Sequence, residues 1–475
     1  MRRIGSAGLV LAAGLAVALP ALAETVTKQY EDGSVYEGEF ANGKQNGTGT
    51  YRLPNGYEYT GQWVDGAIQG QGTARYPNGS VYEGAFVAGK PQGKGKITFA
   101  DGGTYDGDWT DGKMTGQGTA TYANGTTYAG SFVDGQHDGQ GLLTDKSGYR
   151  YEGAWAKGVK QGAGKITYPD GAVYEGELVA GERQGKGTLT MPDGLTYVGD
   201  WQAGQINGTG RLTQPNGDVY EGAFVEGLRQ GKGKVTYANG DVYEGDFAKD
   251  KRDGQGAFRA KDGSGYTGTW VAGAMQGQGT MTYADGAVFT GTFKDGKPEG
   301  QGRITYADKS SFDGQWIAGS IGATGKITYA NGDVYEGGFK GGLPDGKGVM
   351  VRPDGYRYDG DWVAGVRQGQ GVATYPDGTT YTGGFVKGLR EGKGDLVQKD
   401  GFRYSGDWKA GKMEGQGVAT YPNGDSYTGG FVGDRREGEG TVRYASGQES
   451  AGIWKQGMLT GPLPEKPAEG AAPAP

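Results

Sequence analysis

The chain has 475 residues, 102 of them glycine, with 35% hydrophobic side chains and a formal net charge of −7. So much glycine and so little apolar surface exclude a thick conventional core, and the absence of cysteine excludes disulfides and thiolate metal sites. A single histidine, His137, argues against a histidine-based metal or catalytic centre, and the acidic balance argues against nonspecific binding to nucleic acid.

Met1 to Ala23 reads as a secretory signal. Arg2 and Arg3 give a positive start, Ile4 to Leu19 a small-residue apolar run, and Ala21-Leu22-Ala23 a small-x-small cleavage pattern. Cleavage after Ala23 is expected to start the mature chain at Glu24 and to export it. A periplasm is the first expectation, since a short alanine-rich signal on a cysteine-free chain suits a Gram-negative envelope, and the extracellular space is the second. Residues 24–35 resemble half of the unit that follows and predict an N-terminal cap strand. Residues 36–461 hold about nineteen copies of that unit, and residues 462–475, PLPEKPAEGAAPAP, form a Pro/Ala tail with nothing to bury and an expectation of disorder.

The unit is clearest in VYEGAFVAGKPQGKGKITFADGG, from Val81 to Gly103. Taking Tyr82 as its origin, aromatic residues recur every 23 residues from Tyr36 to Tyr427, with Phe289 and Phe312 the two that are not tyrosine. A glycine follows two positions later (Gly38, Gly61, Gly84) and a second aromatic four later (Phe40, Trp63, Phe86), a column that holds all nine tryptophans and has Leu178 as its aliphatic stand-in. Aromatic, glycine, aromatic alternating with acidic or polar residues is a strand with one dry and one wet face. The second half of each unit alternates likewise, with Gly93, Gly95 and Ile97 on the dry side and Lys94 and Lys96 on the wet one. Glycine beside a ring leaves room for the ring to lie flat. Asn-Gly and Asp-Gly pairs between units accept the positive φ of tight turns. The predicted fold class is all-β: an elongated, single-layer antiparallel β-hairpin solenoid with stability added unit by unit. The tryptophans alternate with phenylalanine or leucine until Phe224 and Phe247 follow one another, which predicts either an old duplication or a discontinuity near 222–256.

These residues resemble the MORN repeat family. The match is YEGxFxxGxxxGxG with a Gly-terminated turn, as in Tyr36-Glu37-Gly38-Glu39-Phe40 and Tyr243-Glu244-Gly245-Asp246-Phe247. Asp250 and Asp434 replace the loop glycine, Ala323 a strand glycine and Lys309 the turn glycine, so altered geometry is expected only there. The resemblance implies a β-hairpin solenoid used for protein association, scaffolding or membrane attachment. Some members carry a kinase or methyltransferase domain beside the repeats, for which no segment here is long enough.

Several sites invite chemistry and lose to plainer readings. Gly93-Lys94-Gly95 lacks the strand-to-helix junction of a phosphate loop. Acidic pairs such as Glu37/Glu39 or Asp106/Asp108 face Lys, Arg and Gln on the neighbouring strand, which predicts cross-strand charge pairing. His137 is expected to be a solvated loop residue. No catalytic, metal or cofactor residues are predicted, and no enzyme. The expected function is a non-enzymatic exported scaffold for protein association or self-assembly in the cell envelope. The alternative is a lipid-surface or polysaccharide-binding module whose aromatic face holds Tyr59, Trp63, Tyr105, Trp109, Tyr151, Trp155, Trp270, Trp316, Trp362 and Trp408, residues that would otherwise form the one-sided core.

Overall fold

The structure, a computed structural model, describes residues 24–464; the signal segment 1–23, its cleavage position and the tail beyond residue 464 lie outside the described residues. Thirty-nine strands, numbered in chain order, occupy the described residues. The first, β1 (Glu24–Gln29), pairs with β2 (Val35–Ala41). From there each unit contributes one hairpin, illustrated by β6 (Val81–Val87) with β7 (Lys90–Thr98) and β8 (Thr104–Thr110) with β9 (Lys113–Thr121).

Two turns alternate, and their chemistry is not the one expected. Within the hairpin, Ala88 (φ 48°) and Gly89 (φ 78°) are both left-handed, which matches the twist of the strands they join. Between hairpins the turn is wider. In Phe99 to Gly103 the amide of Gly102 donates to the Phe99 carbonyl at 3.0 Å, and the Asp101 carboxylate accepts from the Gly103 amide at 2.9 Å. Of these turn residues only Gly102 (φ 88°) is left-handed. The corresponding turn from Leu53 to Tyr57 runs through Pro54-Asn55-Gly56, and only Gly56 (φ 91°) in it is left-handed, so Asn55-Gly56 is not a two-residue turn with both residues left-handed. That geometry falls inside the hairpins, as at Asp65-Gly66, Ala88-Gly89 and Lys157-Gly158.

The strands divide into two compact units, one ending at Leu228 and the other beginning at Arg229. The boundary lies inside the stretch 222–256 where the tryptophan alternation slips. Within each unit the sheet is antiparallel, and each strand packs mainly against the strand before it and the strand after it. Register brings the glycines into line: Gly84 pairs with Gly95, Gly95 with Gly107, and Gly107 with Gly118. A β-bulge between Gly84 and Phe86 shifts the register, and Gly93 (φ 76°) opens the strand opposite it. Three of the four departures keep the local backbone: Asp250, Asp434 and Lys309 all adopt the left-handed conformation of the glycines they replace. At Ala323 the ladder pair to Phe339 is missing, and pairing resumes at Thr324.

The paired glycines are there for space. A Cβ on Gly95 would collide with the Tyr82 ring, and one on Gly84 with the Gly95 backbone. Gly95→Ala should therefore cost about 1–3 kcal/mol through overpacking. The expected readout is faster hydrogen exchange in the β6 to β9 amides; unchanged protection would refute the packing account.

Candidate functional site

On the dry side the tyrosine that opens a unit typically lies between two other rings, although Tyr151 and Tyr174 each have Leu178 in place of one of them. Tyr82 meets Phe86 of its own hairpin edge-on at 5.0 Å and Trp109 of the next at 5.0 Å, and Tyr105 continues the row to Phe132 at 4.9 Å. Edge-to-face contacts of this kind suit the charge distribution of the rings. The polar tips are also used internally: Tyr105 Oη donates to the Asp108 carbonyl at 2.9 Å and Trp109 Nε1 to the Gly95 carbonyl at 2.9 Å. Burial pushes the Tyr59 and Tyr105 phenols up to about 12. In the first unit Tyr59, Tyr105 and Tyr151 are wholly buried, while Trp63, Trp109 and Trp155 are 5–7% exposed. In the second, Trp270, Trp316, Trp362 and Trp408 are 3–6% exposed. The structure thus places these rings in the core, each tryptophan touching tyrosines or phenylalanines rather than another tryptophan. Trp155 Nε1 is a buried side-chain donor without a hydrogen-bond partner among the described residues.

His137 corrects its expectation. It sits in a strand, paired with Phe132, and its ring stacks on Tyr128 at 3.6 Å while Nε2 lies 2.7 Å from Tyr122 Oη. Burial lowers its pKa to about 4. Its column covers the rings elsewhere too: the guanidinium of Arg183 lies 4.1 Å from the Trp201 ring, and that of Arg390 4.1 Å from Trp408. Bulk and flat charge at this position close the dry side, a job that the adjoining turn sequence did not reveal.

The wet side carries the surface chemistry. Lys94 reaches Asp108 of the next hairpin at 2.8 Å, and the same step recurs at Lys186–Asp200, 2.5 Å. In the second unit it recurs at Lys232–Asp246, 2.7 Å, Lys347–Asp361, 2.6 Å, and Lys393–Asp407, 2.6 Å. The Lys94 ammonium and the Gln117 amide hold the Asp108 carboxyl below its usual range, and Lys186 with Thr209 takes Asp200 to about 2. This is the cross-strand pairing expected of the acidic columns. Over the glycine row the solvent side is an open trough, one stretch of which, about 750 Å³, has Gly107, Gly118, Gly130 and Gly141 along its floor and Lys94, Gln117 and Glu152 among its walls. Among the described residues no group of three or more His, Cys, Asp or Glu side chains is placed to hold a metal ion.

Beside the charged row runs a feature that the polar reading of this face missed. Val64, Val87, Val133 and Val179 in the first unit are about half exposed, as are Val271, Ile317, Val363 and Val432 in the second. The signal was available: each lies five residues after its unit's first ring, in phase with the repeat.

The sequence model of the MORN repeat matches eighteen times in tandem, from residues 36–56 and 59–81 through to 404–426 and 427–449. The chain belongs to the MORN repeat family. No curated protein matches it. Among solved structures, the TCP domain of Drosophila melanogaster SAS-4 (dCPAP), in complex with a proline-rich motif of Ana2 (dSTIL), is 14% identical. The match covers 38% of this chain and 85% of that one at a TM-score of 0.21. The wild-type TCP10 domain of Danio rerio CPAP, in complex with a STIL peptide, is 17% identical, covering 57% of this chain and 94% of that one at a TM-score of 0.18. The MORN repeats themselves make this a repeat scaffold.

The buried imidazole gives these repeats a titratable weak point. With its folded pKa near 4, below the ordinary 6.5, His137 favours the fold fully above pH 6.5, and that contribution is lost as pH falls towards 4. His137→Met, copying Met114 of the preceding repeat, should remove on the order of 1 kcal/mol of acid destabilisation, after discounting for the water that reaches this ring. Comparing urea midpoints of the two proteins between pH 7 and 4.5 checks it, and parallel midpoint curves would contradict it.

Proposed function

We propose that this MORN repeat protein is a non-enzymatic scaffold that gathers protein partners along its wet face, and that it works after export to the cell envelope, in the periplasm. The observation that supports the reading is the exposed aliphatic column lying beside a row of lysine–aspartate pairs. Protein interfaces combine apolar patches with charged and hydrogen-bonding surroundings, and exposed aliphatic side chains in a row have no role in the core of this sheet. Repetition adds valency, because a partner with several contact points, or several partners together, gains effective concentration from a regular array. Export is supported by the pattern of Met1 to Ala23.

A lipid or polysaccharide module working through the aromatic face has less support, since its rings would have to leave their neighbours to present a stacking surface. The lysine–aspartate pairs are exposed and contribute little stability, so their value lies in orienting a partner.

Replacing Val64, Val87 and Val133 together by serine should leave the ring core untouched and remove partners from a crosslinking pull-down made in the native envelope. Capture of the same partners in the same yield by the variant would overturn the assignment of this face. Sedimentation with anionic vesicles and with peptidoglycan at physiological salt tests the rival reading on the same proteins.

A further inference from the structure

The two ends of the repeat array are incomplete in complementary ways. A full second strand has nine residues, as in Lys90–Thr98. The last one, β39 (Met458–Gly461), has four and stops at Pro462, which has no amide hydrogen to give a ladder. It covers only residues 453–455 of β38 (Glu449–Lys455), so Glu449 to Gly452 have no strand partner on that side among the described residues. At the other end, β1 pairs Val26 with Gly38 and Lys28 with Tyr36, as Gly95 pairs with Gly107 and Ile97 with Tyr105. By this register β39 supplies the positions of Lys90 to Gly93, and Thr25 to Gln29 supply those of Lys94 to Thr98. The residues missing at one end are present at the other, where their outer edge has no strand partner among the described residues.

The side chains agree with the register. Elsewhere the first position carries a ring, and the glycine across from it carries nothing. At the C-terminal end Ser450 removes the ring, and at the N-terminal end Val26 stands where the glycine should be. Val26 and Leu459 are 37% and 46% exposed.

We propose that two copies of the chain join head to tail. Thr25 to Gln29 of one copy lie against Glu449 to Gly452 of the other and complete the strand that β39 begins, with Val26 packing beside Leu459, whose Cδ1 covers Gly452 where the ring is absent at Ser450. The pairs are Ser450 with Lys28 and Ala451 with Thr27. Main-chain hydrogen bonds at a sheet edge drive such additions, and because the two surfaces differ, the join repeats into open chains or rings. Glu24 falls at the position of Gly93, which Gly461 already fills, so the join begins at Thr25. This goes beyond the scaffold reading, because the wet face and the ends can fail separately.

The absence of native cysteine gives a clean test. The chain processed to Glu24 is made as Lys28→Cys with one tag and Ser450→Cys with another, and likewise as Thr27→Cys and Ala451→Cys. Neighbouring antiparallel pairs alternate between wide and close spacing, so one of the two sets is near enough to bridge. Mild oxidation of a mixture should give a disulfide carrying both tags, in excess over a control of Lys28→Cys with Lys455→Cys. Sedimentation velocity should show mass rising with concentration, and Thr27→Pro should abolish the rise while circular dichroism is unchanged. A two-tag product no more abundant than the control, or a mass fixed at one chain across concentrations, overturns the proposal. A chain that stays single yet still captures envelope partners refutes the join and leaves the scaffold reading standing.

Discussion

The structure depends on a tyrosine ring lying flat across two paired glycines. Adjacent strands sit about 4.8 Å apart, which leaves no room for a ring to lie over a neighbour that carries a Cβ. At Tyr82 the ring covers Gly95, and Gly84 lets the Gly95 backbone approach from the same side. The ring then comes within edge contact of the aromatic residues of two successive hairpins, Phe86 and Trp109, and its hydroxyl donates to the Ala85 carbonyl at 3.1 Å. One residue thereby seals its own hairpin and joins it to the next, which is how a sheet without a covering layer can bury its rings.

That arrangement assigns work to the two faces. Rings, their hydroxyls and the indole N–H groups are consumed on the dry side, where arginine, methionine or proline close the surface over them. What remains for an outside partner is the other side: exposed valines, charged pairs and the glycine-floored trough. Glycine itself serves three unrelated ends. At Gly84 and Gly95 it makes room, at Gly93 it turns the strand through a bulge, and at Gly89 and Gly102 it supplies a left-handed turn residue. Only the first of these requires its neighbour to be aromatic.

Local repetition also explains why irregularities stay local. Asp250, Asp434 and Lys309 accept a left-handed backbone because the ladders on both sides hold it there, and the missing pair at Ala323 leaves the next pair, Thr324 with Gly338, in place. Among the described residues the end strands have a strand neighbour on one side only, and there the sequence departs from the repeat at Val26 and Ser450.

The period of 23 residues, the alternation along each strand and the glycine beside each ring were enough to determine an all-β array of antiparallel hairpins, because each of those features is a local steric requirement repeated without insertion. The tertiary structure decided what lies across from what. Asn-Gly and Asp-Gly pairs suggested a two-residue turn, but between units the backbone takes a wider turn in which only the glycine is left-handed, and the hairpin closes at pairs such as Ala88-Gly89 instead. His137 adjoins a turn in sequence, yet the bulge swings its column over Tyr128 and Trp155. The tryptophans looked available for a ligand because a sequence cannot show how far the next hairpin's tyrosine reaches. The recurrence of valine or isoleucine five residues after the first ring of many units was visible in the sequence, but only the register shows that these side chains face water beside the charged pairs.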